Sequence, residues 1–287
     1  MAQIRIGTCS WKYPSWEGLV YSAPQGINYL EEYAARYDTV EVDQWFWSLF
    51  GTDSVKLPSP FDVMHYRQSV GADFRFSVKA PNSITLTHLY TKKKSDPLVA
   101  NPHFLSPGLC STFLSTLDPL GATLGPVMFQ FEYLNKHKMP SQADFLRDLA
   151  AFMGQIPRAH TYAIEVRNPN YLNEPFFTMC REVQASPVLL QGYWMPPLVD
   201  VYDRWRSIIT AHQTLVIRLL GPDRKGIEKA TGKRWDQIVA PRDRELEGIA
   251  GLIKELNGLG IDVYLNINNH YEGSAPLTIQ KVRTLLN

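Results

Sequence analysis

The chain has 287 residues, 45% of them hydrophobic, and a formal net charge of +1. A charge this close to zero gives no long-range field suited to nucleic acid or an anionic membrane. The three cysteines, Cys9, Cys110 and Cys180, are far apart with no CxxC, which argues against a zinc ribbon or a disulfide framework and fits reduced thiols. The opening MAQIRIGTCSW enters a strand pattern at once, without the charged start and apolar core of a signal peptide. No apolar run approaches the length of a membrane span. A soluble cytoplasmic protein is expected, with a small molecule as its partner, and the oligomeric state stays open. The only dense cationic run, Lys92 to Lys94, reads as a solvated loop.

In chain order, the first strand pattern is QIRIGTC from Gln3, followed by the helical INYLEEYAARY. TVEVD from Thr39 is the second strand. The segment Gln44 to Asp73 after it has to hold a helix, yet it is poorly patterned and carries Pro58 and Pro60. FRFSVKA from Phe74 leads through a long loop to the helical CSTFLSTLDPL, and then to GPVMFQF from Gly125. Next come the helix QADFLRDLAAFMGQI, the strand TYAIEVR from Thr161, the helix EPFFTMCREVQA and the strand PVLLQG from Pro187. TLVIRLL from Thr214, the helix RELEGIAGLIKELNGLG, DVYLNIN from Asp262 and the helix LTIQKVRTLL complete the chain. Eight strands alternating with helices predict a parallel sheet closed as a (β/α)8 TIM-type barrel, one α/β domain over residues 1–287. The alternative is an open doubly wound sheet, although no GxGxxG follows the first strand. Helix-to-strand connections are mostly tight and strand-to-helix connections often long, which puts the candidate site at the strand C-terminal ends.

Side chains two apart on a strand share a face. Val40/Val42, Phe74/Phe76/Val78, Val127/Phe129, Ile164/Val166, Ile217/Leu219 and Val263/Leu265/Ile267 are therefore assigned to the helix-facing side. The opposite sets point inward: Glu41 and Asp43, Ser77 and Lys79, Gln130, Glu165 and Arg167, Arg218, Asn266 and Asn268. Burying an ion costs several kcal/mol unless it is paired. Three carboxylates and three cations inside one barrel are either a self-neutralising filler or a site, and their place near the loop-bearing end favours a site.

Roles follow from chemistry. Glu41 and Glu165 are candidates for general acid and general base. Arg167 shares a face with Glu165, where it holds that carboxylate ionised or takes an anionic group bidentately. Lys79 is a candidate Schiff-base former or anion contact. Arg218 suits phosphate or carboxylate, and the loop from Gly221 lies where such barrels often bind phosphate. Asn268 and Asn269 suit a hydroxylated ligand, with Gln130 beside them. Trp11 belongs with Trp16, Trp45, Trp47 and Trp194 to an aromatic set placed at strand ends and loops, for packing or for stacking on a sugar ring. No cofactor is expected. A divalent ion on Glu41, Asp43, Glu165, His88 and His270 is possible in principle, but no HxH, HExxH or DxD spacing is present.

Jointly, several of these stretches resemble the domain-of-unknown-function 72 family, also called YecE-like, from the first strand to the last helix. IGTCSWKYPSWEGLVY, TVEVDQWFW, FRFSVKAPNSITLTH, VMFQF, AIEVRNPNY, VIRLLG and INN with Gly273 and Ala275 carry the likeness. The resemblance implies a TIM-type barrel and no established reaction, and it marks His88 as a family-type histidine, taken here as a further candidate catalytic residue. The chain departs from the pattern at Asp43, where Asn is usual, at Leu220, where a His often precedes the glycine, and at Asn168, where a His commonly follows the Arg. The leading expectation is an enzyme acting on a small polyhydroxylated anionic substrate, a sugar phosphate or sugar acid. The alternatives are a metal-dependent phosphoester hydrolase and a non-catalytic small-ligand-binding protein.

Overall fold

Alternating strands and helices close on themselves. In the computed structural model, which describes residues 2–91, 93 and 96–287, eight parallel strands form one closed barrel. They are β1 (Ile4–Cys9), β2 (Thr39–Val42), β3 (Arg75–Lys79), β4 (Leu124–Gln130), β5 (Tyr162–Glu165), β6 (Ala185–Gly192), β7 (Thr214–Gly221) and β8 (Asp262–Ile267). Each pairs with the next, and β8 returns to β1. The expected (β/α)8 barrel is therefore the observed fold. Of the cationic run only Lys93 falls within the described residues; Lys92 and Lys94 lie outside them. Among the described residues no helix is long and apolar enough to cross a membrane.

The strand faces sort as alternation requires. Val40, Phe76, Val78, Val127, Phe129, Ile164, Ile217 and Leu265 are buried in one core with the apolar sides of the helices. On the opposite face Met128, Ala163, Val188, Val216 and Tyr264 pack together as a separate apolar layer inside the barrel. Cys9, Leu190 and Leu220 form another small inward cluster nearer the strand C-termini. At the other end Arg5 closes the floor, its Nη1 donating to the Asp73 carbonyl at 2.8 Å.

The elements differ from the sequence reading in instructive places. A helix does occupy Pro60–Gln68, and Pro60 opens it rather than breaking it, because a first-turn proline loses no intrahelical donor. Ser59 caps it by accepting from the Asp62 amide. A small hairpin, Leu49–Gly51 with Ser54–Val55, precedes it without a sequence counterpart. The helix Leu198–Ile209 went unread although Leu198, Val201, Tyr202 and Ile209 are its buried residues at helical spacing. β5 and β8 stop at Glu165 and Ile267, so Arg167 and Asn268 stand just beyond their strands.

The seam between β1 and β2 is short, paired at Thr8–Val40 and Cys9–Glu41. Tyr33, on the intervening helix, staples it: its hydroxyl accepts from the Thr8 amide at 2.8 Å and donates to the Thr39 carbonyl at 3.0 Å. Gly7 makes this approach possible, since a Cβ there would meet the Thr39 carbonyl oxygen at 2.0 Å. Gly7→Ala is expected to lower stability by about 3 kcal/mol, the upper end for overpacking because backbone rather than a flexible side chain is in the way. Urea denaturation measures this; an unchanged midpoint would mean the seam opens without cost.

Candidate functional site

Arg218 reaches into the barrel from β7, flanked along the sheet by Leu190 and Asn266. Its Nε and Nη2 donate to the two oxygens of Glu41, each at 2.7 Å. Its Nη1 donates to Glu165 and, at 3.2 Å, to Gln130 Oε1. The other oxygen of Glu165 accepts from Arg167 Nε. The Arg167 guanidinium in turn lies 4.7 Å from the centre of the Tyr193 ring. One chain of contacts, Glu41–Arg218–Glu165–Arg167–Tyr193, thus crosses the barrel from β2 through β7 and β5 to the loop after β6.

Both carboxylates are fully buried. Burial pushes the Glu165 carboxyl up, but Arg167 and Arg218 outweigh it and hold the group at about 2. Burial likewise works against the Arg218 cation, and Glu165 and Glu41 more than restore it, so it stays charged.

Lys79, the last residue of β3, is also buried, with Nζ 4.2 Å from the centre of the Phe46 ring. Among the described residues no carboxylate pairs with it. Burial, and then the charge of Arg218, draw its ammonium below the usual lysine range against the opposing pull of Glu41, Asp43 and Glu165. Asp43 moves the other way, raised by burial and then by Glu41. Cys9 has Sγ 4.0 Å from Arg218 Nη2, and burial and then Glu41 push its thiol up, which makes it inert.

The remaining site candidates stand apart from this network. Asn268 Oδ1 accepts from the His270 amide at 3.0 Å, ordering the loop after β8. Asn269 Oδ1 accepts from the Ala275 amide at 2.9 Å and so holds the start of the last helix. His88 places Nδ1 2.9 Å from Thr87 Oγ1, and none of its hydrogen bonds reaches the charged cluster. Trp11 is buried edge-on against Tyr66, ring centres 5.0 Å apart. Among the described residues no three His, Cys, Asp or Glu side chains gather as potential metal ligands. After Gly221, Asp223 caps the helix Arg224–Thr231 by accepting from Gly226, so the expected phosphate position already carries a carboxylate of the chain itself. Cys9, Phe46 and Tyr193 were missed. Cys9 was readable, because Arg5, Gly7 and Cys9 alternate against Ile4, Ile6 and Thr8. Tyr193 sits in a left-handed turn, φ 53°, that nothing in its sequence announces.

Comparison with known proteins fits this architecture. A family model described as a protein of unknown function, DUF72, matches residues 5–287. The chain belongs to the DUF72 family. It is 28% identical to the UPF0759 protein YecE of Escherichia coli K12 over 169 residues, 58% of this chain and 50% of that protein. The chain thus spans about half the length of the curated relatives it matches. The crystal structure of a DUF72 family protein from Enterococcus faecalis V583 superposes with a TM-score of 0.68 at 18% identity, covering 99% of this chain and 96% of that one. One from Thermotoga maritima MSB8 gives 0.67 at 20% identity, covering 99% of both chains. At such identities the likeness is one of fold.

The network sets an order of mutational costs. Arg218→Met strips both buried carboxylates of their shared cation and is expected to cost about 4 kcal/mol or more. Arg167→Met is expected to cost less, because Glu165 keeps its bond to Arg218. Chemical denaturation at pH 7 checks the order, and the reverse order would make Arg167 the anchor. The pH dependence has a defined sign as well. A carboxyl held at about 2 against an ordinary 4.5 contributes stability in full above pH 4.5 and loses it as pH falls toward 2. Glu165→Gln should therefore flatten that acid limb in a series of denaturation curves; an unaltered limb would put the titration elsewhere.

Proposed function

We propose that this DUF72 chain is an enzyme acting on a small polyhydroxylated anionic substrate, a sugar phosphate or sugar acid, by general acid/base chemistry in the barrel mouth. The observation that carries the reading is which donors are left over. Arg218 is consumed by Glu41, Glu165 and Gln130. Arg167 spends only Nε, on Glu165, and neither of its Nη atoms nor Lys79 Nζ makes a hydrogen bond to the described residues. Each of these cations rests on an aromatic ring, Tyr193 for Arg167 and Phe46 for Lys79. A guanidinium edge and an amine, both short of partners, suit a phosphate or carboxylate.

Proton transfer falls to different groups from those expected. Glu165, held at about 2, is a poor base near neutrality, and Glu41 has both oxygens on Arg218. In this reading the two glutamates position Arg218 and Arg167. Asp43 and Lys79 are drawn toward each other from opposite ends of the scale, the pattern of a general base and general acid in one site. Asp43 would take a proton from the substrate, and Lys79 would return one to the oxygen where charge develops.

A thermal-shift panel of sugar phosphates, sugar acids and neutral monosaccharides at equal concentration tests the anion preference. Stabilisation of about 2.7 kcal/mol is expected at a hundredfold excess over the dissociation constant. Lys79→Met should abolish the response to anions while raising the stability of the unliganded protein by about 1 kcal/mol or more, since it removes a buried amine without a carboxylate partner. Response to neutral sugars alone would overturn the reading, as would an undiminished anion response in Lys79→Met.

A further inference from the structure

Beside the mouth, two clefts meet. One of about 560 Å³ is lined by Trp11, Tyr29, Gln44 and Tyr66 among others, and one of about 530 Å³ by Gln44, Trp45, Trp47, Phe50 and Tyr66 among others. Gln44 and Tyr66 belong to both, so the clefts form a single groove across the loops after β1 and β2 and the helix Pro60–Gln68. The groove adjoins the mouth, because Gln44 follows Asp43 directly. The Tyr66 phenol also feels the Asp43 charge, being pushed up to about 12 by burial, then by Asp62 and then by Asp43.

Three properties of the lining define what it fits. First, its aromatic surface is offered outward: Trp47 is 61% exposed and Phe50 67%. Second, it holds polar tips with nothing to bond. Trp11 and Trp45 are buried side chains, and buried indoles usually find an acceptor. Here their N–H groups, the Tyr66 hydroxyl and the Gln44 amide make no hydrogen bond to the described residues, and none of them is sealed from solvent. Third, the charges on the lining are mixed, Lys12 and Lys56 with Asp62, so no cationic track runs along it. A polyanion would need such a track. An apolar peptide would leave the indole and amide groups unpaired, at a cost. A sugar chain meets all three conditions, since each ring has a C–H face to lay on an aromatic ring and hydroxyls at its edge to accept and donate.

We propose that the groove binds a neutral oligosaccharide chain, so that the substrate of the mouth is the anionic end of a longer glycan. The inference rests on the reading of the mouth as a site for a polyhydroxylated anion and extends it to the substrate's size.

Isothermal titration calorimetry with cellohexaose, maltohexaose and chitohexaose, their single sugars, and a thymidine oligonucleotide as polyanionic control tests it. At least one hexasaccharide is expected to bind ten times or more tighter than its single sugar. Trp47→Ala should weaken that binding about tenfold, the equivalent of one lost aromatic stacking contact. Gln44→Ala, at an exposed position, should weaken it as well. Stabilisation by anionic monosaccharides should persist in Trp47→Ala, which separates failure of the groove from failure of the mouth. Absence of binding by all three hexasaccharides overturns the proposal, and so does hexasaccharide binding indifferent to both substitutions. Binding of the oligonucleotide that is lost in Trp47→Ala overturns it in favour of base stacking.

Discussion

Arg218 stands between two carboxylates that have no access to water, and the upper half of the barrel interior is arranged around that fact. Removing an ion from water costs several kcal/mol, returned only when the partners meet in good geometry. The guanidinium supplies that geometry: a fork closed on Glu41 and a remaining nitrogen shared by Glu165 and Gln130. A lysine at 218 would carry its donors on one nitrogen and could not reach both sides at once. Because Glu41, Glu165 and Arg218 come from β2, β5 and β7, the contact runs across the barrel rather than along the sheet. It ties strands that never pair. The apolar layer of Met128, Ala163, Val188, Val216 and Tyr264 shows that these strands pack well without charge. A charged layer above it is the less stable choice, which points to a use for it.

The same contact governs its neighbours. Glu41 and Glu165 balance Arg218 and Arg167, so the network is close to neutral in sum and closed to further pairing on its inner side. Lys79 lies beside it, paired with no carboxylate of the described residues. After burial, the charge of Arg218 is the strongest influence drawing its proton off. Asp43, two residues from Glu41 on the same face, feels that carboxylate as its strongest influence after burial. The inner ion network that holds Glu165 ionised thus adds to burial in drawing the outer aspartate and lysine toward each other. Under the proposed reading, positioning and proton transfer are divided between an inner and an outer tier of one mouth.

Much of this was legible from alternation alone. Strands buried on both faces keep a period of two, so the inward set could be assigned strand by strand, and Glu165 with Arg167 could be paired as neighbours two apart. Alternation says which residues share an interior and stays silent on which of them touch. Arg218 and Glu41 are 177 positions apart, and only closure of the barrel joins them. The helix Pro60–Gln68 was obscured because only Val63 among its residues is buried while Phe61 and Met64 face solvent, which erases the amphipathic stripe. Asn268 and Asn269 stand just past β8, and His88 lies in the long loop after β3, places where ligands are expected. Each, however, has a backbone amide or hydroxyl within reach, and local bonds claim them first.

Exposed apolar side chains sharpen the contrast between the two ends of the barrel. Trp47, Phe50, Phe61 and Met64 follow β2; Tyr90, Leu98 and Val99 follow β3; Tyr133 follows β4; and Trp194 follows β6. Leu259, ahead of β8, is the exception among the large exposed hydrophobics of the described residues. Scattered exposure of this kind needs no explanation, but exposure gathered on the segments that follow strand C-termini does. Groups short of partners among the described residues gather there: a buried amine paired with no carboxylate, an aspartate pushed up by burial, indole N–H groups left to solvent, and aromatic rings facing water. At the N-terminal end Arg5 donates to the Asp73 carbonyl, yet that end is not closed throughout: Thr39 Oγ1 and His212 Nε2 are sealed there without a partner among the described residues, and a cleft of about 390 Å³ opens among His160, Tyr162, Arg181 and His212. Under the proposed reading, the unspent donors and uncovered rings gathered at the mouth are surface held for a ligand.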